Sequence, residues 1–251
     1  MQMHDQTLGA YFQCHKNAAS FARTIKSFRQ HYSTGDIVVV NDGGYNYQPF
    51  CAKYNVHYTY KPKMATLRNA LIFSSYDNCV GFLKNLYESL VHIKDTHIVL
   101  LEDDVRIVRP HTRPFDFTIS GCNKNEFLHV SMQTILKNKG YTGEFFYGAC
   151  GGCVLDRAFL QAIPFADIEA LIYQIKDYPQ AFASDMLLSF IVLYFGGTIG
   201  QHEEFAEVWY KDIYERMSTN RVAFLHQYKN DYETRGVFPN DEELAELEDY
   251  V

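Results

Sequence analysis

Two apolar runs constrain the fold of this chain more than any other feature. Asp36-Ile37-Val38-Val39-Val40 is β-branched and shows no polar alternation, and Thr96-His97-Ile98-Val99-Leu100-Leu101 is nearly as apolar. Strands of this kind are buried on both faces, as in a parallel sheet covered by helices. Both runs end in acids: Asn41-Asp42-Gly43-Gly44 after the first, Glu102-Asp103-Asp104 after the second. Three adjacent carboxylates repel one another, and a bound divalent cation reverses the sign of that cost. Asp104, assisted by Asp103, therefore reads as a ligand for a hard metal that in turn grips phosphate.

The rest of the first half supports an α/β reading. Gly9 to Cys14 reads as a strand, and Ala18, Phe21, Ala22, Ile25 and Phe28 form one face of a following helix. Val56 to Thr59 is a weaker strand. Met64 to Ser74 and Cys79 to Ile93 read as helices. Strand-helix-strand order implies right-handed crossovers and a mostly parallel sheet, with ligands at the carboxyl ends of its strands. In the second half, Glu126 to Ser131 reads as a strand. Tyr147 to Leu155 reads as a small-residue loop entering a strand, with Asp156 capping a short helix, Arg157 to Ile163. Helices are expected over Ala166 to Lys176 and from Ser184-Asp185 to Tyr194. A last strand, Val222 to Leu225, leads to His226, and an acidic helix or tail lies at 240–249.

Composition removes several classes. The net charge of −7 comes with no basic stripe, which excludes nucleic acid as the expected partner. The longest apolar run, Met186 to Phe195, is too short to span a bilayer, and residues 1–6 lack signal-peptide character. A soluble cytoplasmic protein is the expectation. The six cysteines, at 14, 51, 79, 122, 150 and 153, then read as reduced thiols. Cys150-Gly151-Gly152-Cys153 enters a strand rather than opening a helix, and no second C-x-x-C exists. Its glycines suit close backbone approach to a ligand better than redox or zinc chemistry.

Taken in order, these motifs resemble the GT-A class of nucleotide-sugar-dependent glycosyltransferases, most closely its family 2-type and virus-encoded members. The resemblance runs from about Leu8 to Lys229. It rests on Gln13-Cys14 at the first strand end, Val39-Val40-Asn41-Asp42-Gly43, the acid run Glu102-Asp103-Asp104, the Gly148 to Cys153 loop, Ser184-Asp185, and His226 with Lys229. It departs from the family in lacking the Pro-x-Tyr-Asn start of the first strand and the doubled acid of the second.

The resemblance implies one 1–251 glycosyltransferase domain of GT-A type, with a mostly parallel central sheet flanked by helices. Residues 1–110 would form a Rossmann-like nucleotide-sugar half and 111–251 an acceptor half. It implies transfer of a sugar from a nucleotide sugar, a UDP-sugar, to a glycan or glycoprotein acceptor. Mn²⁺ or Mg²⁺ would be held by Asp104 and His226, with His202 as the rival ligand on what reads as a surface loop. Gln13, Asp42, Glu102 and Asp103 would contact the donor, and Lys63, Arg68 and Lys229 its diphosphate. Gly151 and Gly152 would border the acceptor. Asp185 would be the general base of an inverting displacement. The alternatives are a sugar-phosphate nucleotidyltransferase, disfavoured because His15-Lys16-Asn17 lacks a glycine-rich loop, and a non-catalytic nucleotide- or carbohydrate-binding module of the same fold.

Overall fold

A computed structural model describes residues 6–14, 18–42, 46–61, 75–121, 127–146, 148–208 and 210–226. The expected helix at 64–74, the acidic segment at 240–249, and Lys63, Arg68 and Lys229 lie outside those residues.

The expected central strands form. They are β1 (Leu8–Cys14), β2 (Ile37–Asn41), β3 (His57–Tyr60) and β4 (His97–Leu101), with α1 (Ala18–His31), α2 (Gln48–Lys53) and α3 (Tyr76–Ser89) between them. Next come β5 (Arg106–Ile107), β6 (Ile119–Gly121), α4 (Val130–Asn138), β7 (Val154–Asp156), α5 (Arg157–Gln161), α6 (Phe165–Tyr173) and α7 (Ser184–Tyr194). The chain ends, as described, with β8 (Ile199–Gln201), β9 (Phe205–Glu207), α8 (Ile213–Ser218) and β10 (Phe224–His226).

The main sheet has seven strands in the order β3-β2-β1-β4-β7-β6-β8. The four strands of the first half are parallel, as their unalternating sequences require; β7 runs antiparallel to both β4 and β6. Every residue of β1, β2 and β4 is buried, whereas edge strand β3 is not. Each central strand therefore feeds two cores. Tyr11, Val38, Val40, Ile98 and Leu100 pack toward α3, α4, α6 and α7. Phe12, Val39, Val99 and Leu101 pack toward α1 and α2, where Phe21, Ile25 and Phe28 form the helix stripe read from the sequence. Helix α7 also forms as expected and ends where Gly196 adopts φ +85°.

One expected strand is wrong. Within 126–131, Phe127 makes only an isolated bridge to Phe146, and α4 begins at Val130. The Phe127-Leu128-Val130 pattern mimics a strand. The buried Met132 and Leu136, four residues apart, follow a helical period instead, and the His129 ring caps the helix by accepting from Ser131 N–H.

A second, three-stranded sheet, β5-β10-β9, was not expected from the sequence. Beside it lies a buried group of histidines and aromatic rings. Tyr32 hydroxyl accepts from His111 N–H at 2.8 Å and sits 2.8 Å from His111 Nδ1. With the imidazole neutral, the hydroxyl has its own hydrogen to give to Nδ1. Burial holds His111 down to about 4 and also lowers His97 and His202. The sign follows: near pH 6.5 and below, the unfolded chain binds protons that the folded chain refuses. Stability from these groups is intact above that pH and is lost as pH falls toward the folded values. The melting temperature should drop between pH 7 and pH 4.5, and His111→Asn, which keeps an acceptor for Tyr32, should make the drop shallower. An unchanged slope in that variant rejects the assignment.

Candidate active site

The acid run turns immediately after β4, and Val105 N–H closes the turn onto Glu102 C=O at 3.1 Å. Helix α1 pins it from below. Thr24 hydroxyl reaches the carbonyls of Glu102 (3.2 Å) and Val105 (3.0 Å), and Ser27 hydroxyl accepts from Ile107 N–H at 3.1 Å. These bonds fix where three charged side chains leave the backbone.

The small sheet then delivers a histidine. Phe224 pairs with Ile107 and Leu225 with Arg106 in antiparallel register, so the next residue, His226, arrives beside Val105 and Asp104. Its Nε2 lies 3.7 Å from Glu102 Oε2 and 3.7 Å from Asp104 Oδ1. On the other side Glu207, the parallel β9 partner of His226, places Oε1 at 3.0 Å from Nδ1. A proton on Nδ1 directed at Glu207 leaves the Nε2 lone pair facing Glu102 and Asp104. Such carboxylate-histidine pairing orients and polarises a metal-ligating imidazole.

Asp104 and His226 are buried, Glu207 has no exposure, and the Glu102 side chain is 43% exposed. Burial alone would push His226 down. The carboxylates of Glu102, Glu207 and Asp104 outweigh it and hold the imidazole up to about 10. The pocket therefore demands positive charge between its acids. Glu102, Asp104 and His226 offer ligand atoms all within 4.8 Å of one another. Carboxylate and imidazole donors with an open, partly exposed side suit Mn²⁺ or Mg²⁺.

The Cys150 to Cys153 turn closes the wall opposite the acids. Gly152 N–H donates to Leu100 C=O at 2.7 Å and adopts φ +83°. A Cβ on Gly151 would stand 2.8 Å from His226 Cδ2 and 3.0 Å from Glu102 Cδ, so only glycine leaves this cluster its space. Just upstream, Ser189 hydroxyl on α7 accepts from Gly148 N–H (3.1 Å) and Ala149 N–H (3.2 Å). Asp185 is the second residue of α7, one turn before Ser189 and on the same helix face. Ser184 hydroxyl donates to its Oδ1 at 3.0 Å.

Asp42 and Gln13 meet at the neighbouring strand ends. Gln13 Nε2 donates to Asp42 Oδ2 at 3.3 Å, and Tyr11 hydroxyl donates to Gln13 Oε1 at 3.0 Å. Asp42 is fully buried. Burial, reinforced by Asp42, raises the Tyr11 phenol well above its ordinary value, which keeps it a neutral donor.

His202 proves different from its expected setting. It is buried, not on a surface loop, with its ring 5.1 Å from Phe115 and 5.8 Å from Phe224. Its Nδ1 accepts from Glu204 N–H at 3.3 Å, and it joins neither group of potential metal ligands. His226 rather than His202 stands with Asp104. The cysteines at 14, 51, 79, 150 and 153 are buried, and burial pushes the Cys51 and Cys79 thiols up to about 12.

No family model matches the chain, and no curated protein matches its sequence. Solved structures do match its fold. The galactosyltransferase LgtC, in complex with donor and acceptor sugar analogs, aligns over 95% of this chain and 94% of its own at 13% identity, TM-score 0.54. An active-site mutant of LgtC aligns over 95% of each chain at 14% identity, TM-score 0.54. The bifunctional glycosyltransferase WbbM aligns over 92% of this chain at 10% identity, TM-score 0.52, and this chain covers 47% of it. At these identities the likeness is one of fold: the mixed α/β sheet is that of GT-A glycosyltransferases. No described helix is long and apolar enough to cross a membrane.

Proposed function

We propose that this chain is a metal-dependent glycosyltransferase that moves a sugar from a UDP-sugar to a glycan or protein-linked sugar. The observation that carries this reading is the convergence of Glu102, Asp104 and His226 at the carboxyl edge of a GT-A sheet, with Glu207 behind the imidazole. Bound there, Mn²⁺ or Mg²⁺ would supply Lewis-acid stabilisation of the departing diphosphate.

The chain's own residues have distinct tasks in this proposal. Asp104 and His226 are the protein ligands, and Glu102 adds a third oxygen or takes a sugar hydroxyl. Asp103 takes a ribose or sugar hydroxyl in this proposal. Asp42 and Gln13, at the carboxyl ends of β2 and β1, form the nucleoside side, and Lys63, Arg68 and Lys229 neutralise the diphosphate. Gly151 and Gly152 leave room for sugar beside the ligands. Asp185 takes the acceptor hydroxyl proton. Residues 1–110 thus serve the donor, and 111–251 serve the acceptor while lending His226 and Lys229 to the donor's metal and diphosphate.

Two measurements test the reading. UDP-sugars should raise the melting temperature with Mn²⁺ present and fail to do so after chelation, since a ligand that binds only the folded state stabilises it by mass action. No Mn²⁺-dependent shift with any nucleotide sugar rejects the proposal, and binding without turnover identifies a non-catalytic module. For Asp185, the product anomer decides. Inversion, with a loss of about 10² to 10⁴ in rate for Asp185→Asn, fits a general base. Retention of configuration excludes that role.

A further inference from the structure

On the far side of the His226 ring from Glu102 and Asp104 lies a second set of ligands. Cys150 Sγ, a Glu207 oxygen and a His226 ring nitrogen all fall within 4.8 Å of one another, and all three residues are buried. We propose that Cys150, Glu207 and His226 form a separate site for a thiophilic divalent cation, Zn²⁺ or Cd²⁺, and that filling it takes His226 away from Glu102 and Asp104.

The ligands are held by rigid elements. Glu207 and His226 are register partners on β9 and β10, and Cys150 opens a turn closed by Cys153 N–H on its own carbonyl at 3.0 Å. Their chemistry differs from that of the outer set. A buried site with one thiolate, one carboxylate and one imidazole suits a soft tetrahedral ion that keeps a single water as its fourth ligand, whereas Mg²⁺ dehydrates reluctantly. On binding to the metal-free chain, the Cys150 thiol and the Nδ1–H of His226 each give up a proton to solvent as the sulfur–metal and nitrogen–metal bonds form. Two anionic ligands then balance the dication, so the buried complex is neutral.

The antagonism follows from the ring itself. Nδ1 faces Glu207, and Nε2 faces Glu102 and Asp104. A neutral imidazole carries one proton and one lone pair in the ring plane. With the proton on Nδ1, the lone pair serves the outer carboxylate side. A cation on Nδ1 moves the proton to Nε2, where it points at Glu102 and Asp104, and the outer set loses its only nitrogen. Coupling of this kind is reciprocal, so each cation weakens the other by the same factor. None of this requires the chain to transfer a sugar.

The test uses the metal-free full chain titrated with Cd²⁺. One equivalent should produce a thiolate-to-cadmium charge-transfer band that survives Asp104→Ala and disappears in Cys150→Ser. X-ray absorption of the unmutated chain with one equivalent of Zn²⁺ needs no variant and should show one sulfur neighbour at about 2.3 Å. Cd²⁺ should raise the apparent Mn²⁺ dissociation constant about tenfold more in the unmutated chain than in Cys150→Ser, whose outer set is intact. Absence of the band, its survival in Cys150→Ser, its loss in Asp104→Ala, or a zinc shell without sulfur each overturns the inner site. Equal competition in the two proteins overturns the antagonism. Failure of nucleotide-sugar turnover would reject the transferase proposal and leave these spectroscopic outcomes untouched.

Discussion

Asp104→Asn should abolish Mn²⁺-dependent turnover of a nucleotide sugar while leaving the fold in place. Asparagine keeps the shape of the side chain and removes its charge. Asp104 Oδ1 is one of two carboxylate oxygens 3.7 Å from His226 Nε2, and its side chain is only 10% exposed. Glu102, the other acid, is far more exposed and cannot hold a dication alone against water. Metal stabilisation of a leaving diphosphate supplies several kcal/mol, so its loss is worth on the order of 10³-fold in rate. The measurement is donor hydrolysis against Mn²⁺ concentration, with circular dichroism as the control for folding. Turnover within about tenfold of the parent, or parent turnover indifferent to chelation, would remove Asp104 from the centre of the site.

What could be read from the sequence divides along physical lines. The central strands were legible because burial on both faces leaves runs such as Ile37-Val38-Val39-Val40, which no amphipathic helix produces. The acids were legible because they end such a strand. His226 is singled out only by the family resemblance, and the structure sets its Nε2 3.7 Å from Asp104 Oδ1. Glu207 was missed. It lies in the three-residue strand β9, too short to show a period, and its partner emerges only from the β9-β10 register. Of the small sheet only the last strand, read at Val222 to Leu225, was legible; β5 and β9 are too short to show a period. His202 was assigned to a surface because Gln201-His202-Glu203-Glu204 is polar, yet Phe115 and Phe224, from distant segments, cover it. Local polarity cannot report a cover supplied about ninety residues away.

The segment from Glu204 to Glu207 shows how closely structure and site are joined. Glu204 is buried and saturated with donors. Its Oε1 accepts from Arg109 Nη2 (2.7 Å) and Thr112 hydroxyl (2.6 Å), and its Oε2 from Thr112 N–H (2.8 Å) and Arg113 N–H (3.1 Å). Burial raises its pKa, but these four donors outweigh burial and hold the carboxyl below its ordinary value. Its contribution to stability is therefore present above the unfolded pKa and lost as pH falls through the depressed folded one.

Glu204→Ala, just before β9, should be the most destabilising single change around the small sheet. It strands the Arg109 guanidinium, which is 17% exposed, together with two backbone N–H groups. Removing one partner of a buried pair costs about 3–5 kcal/mol. For a chain of this size that corresponds to a fall in melting temperature of roughly 6–20 °C. Glutamine should not rescue it, because whichever way its amide turns, an NH₂ group meets two donors. Since Glu204 touches none of Glu102, Asp104 or His226, Mn²⁺ affinity below the melting transition should stay within about threefold of the parent, far from the 10–100-fold expected for loss of a ligand's buried partner. A melting temperature within about 2 °C of the parent would show that the four donors find water when the carboxylate is gone. An early loss of Mn²⁺ affinity would show that the Arg109–Glu204 clamp, and not Glu207 alone, sets the position of His226.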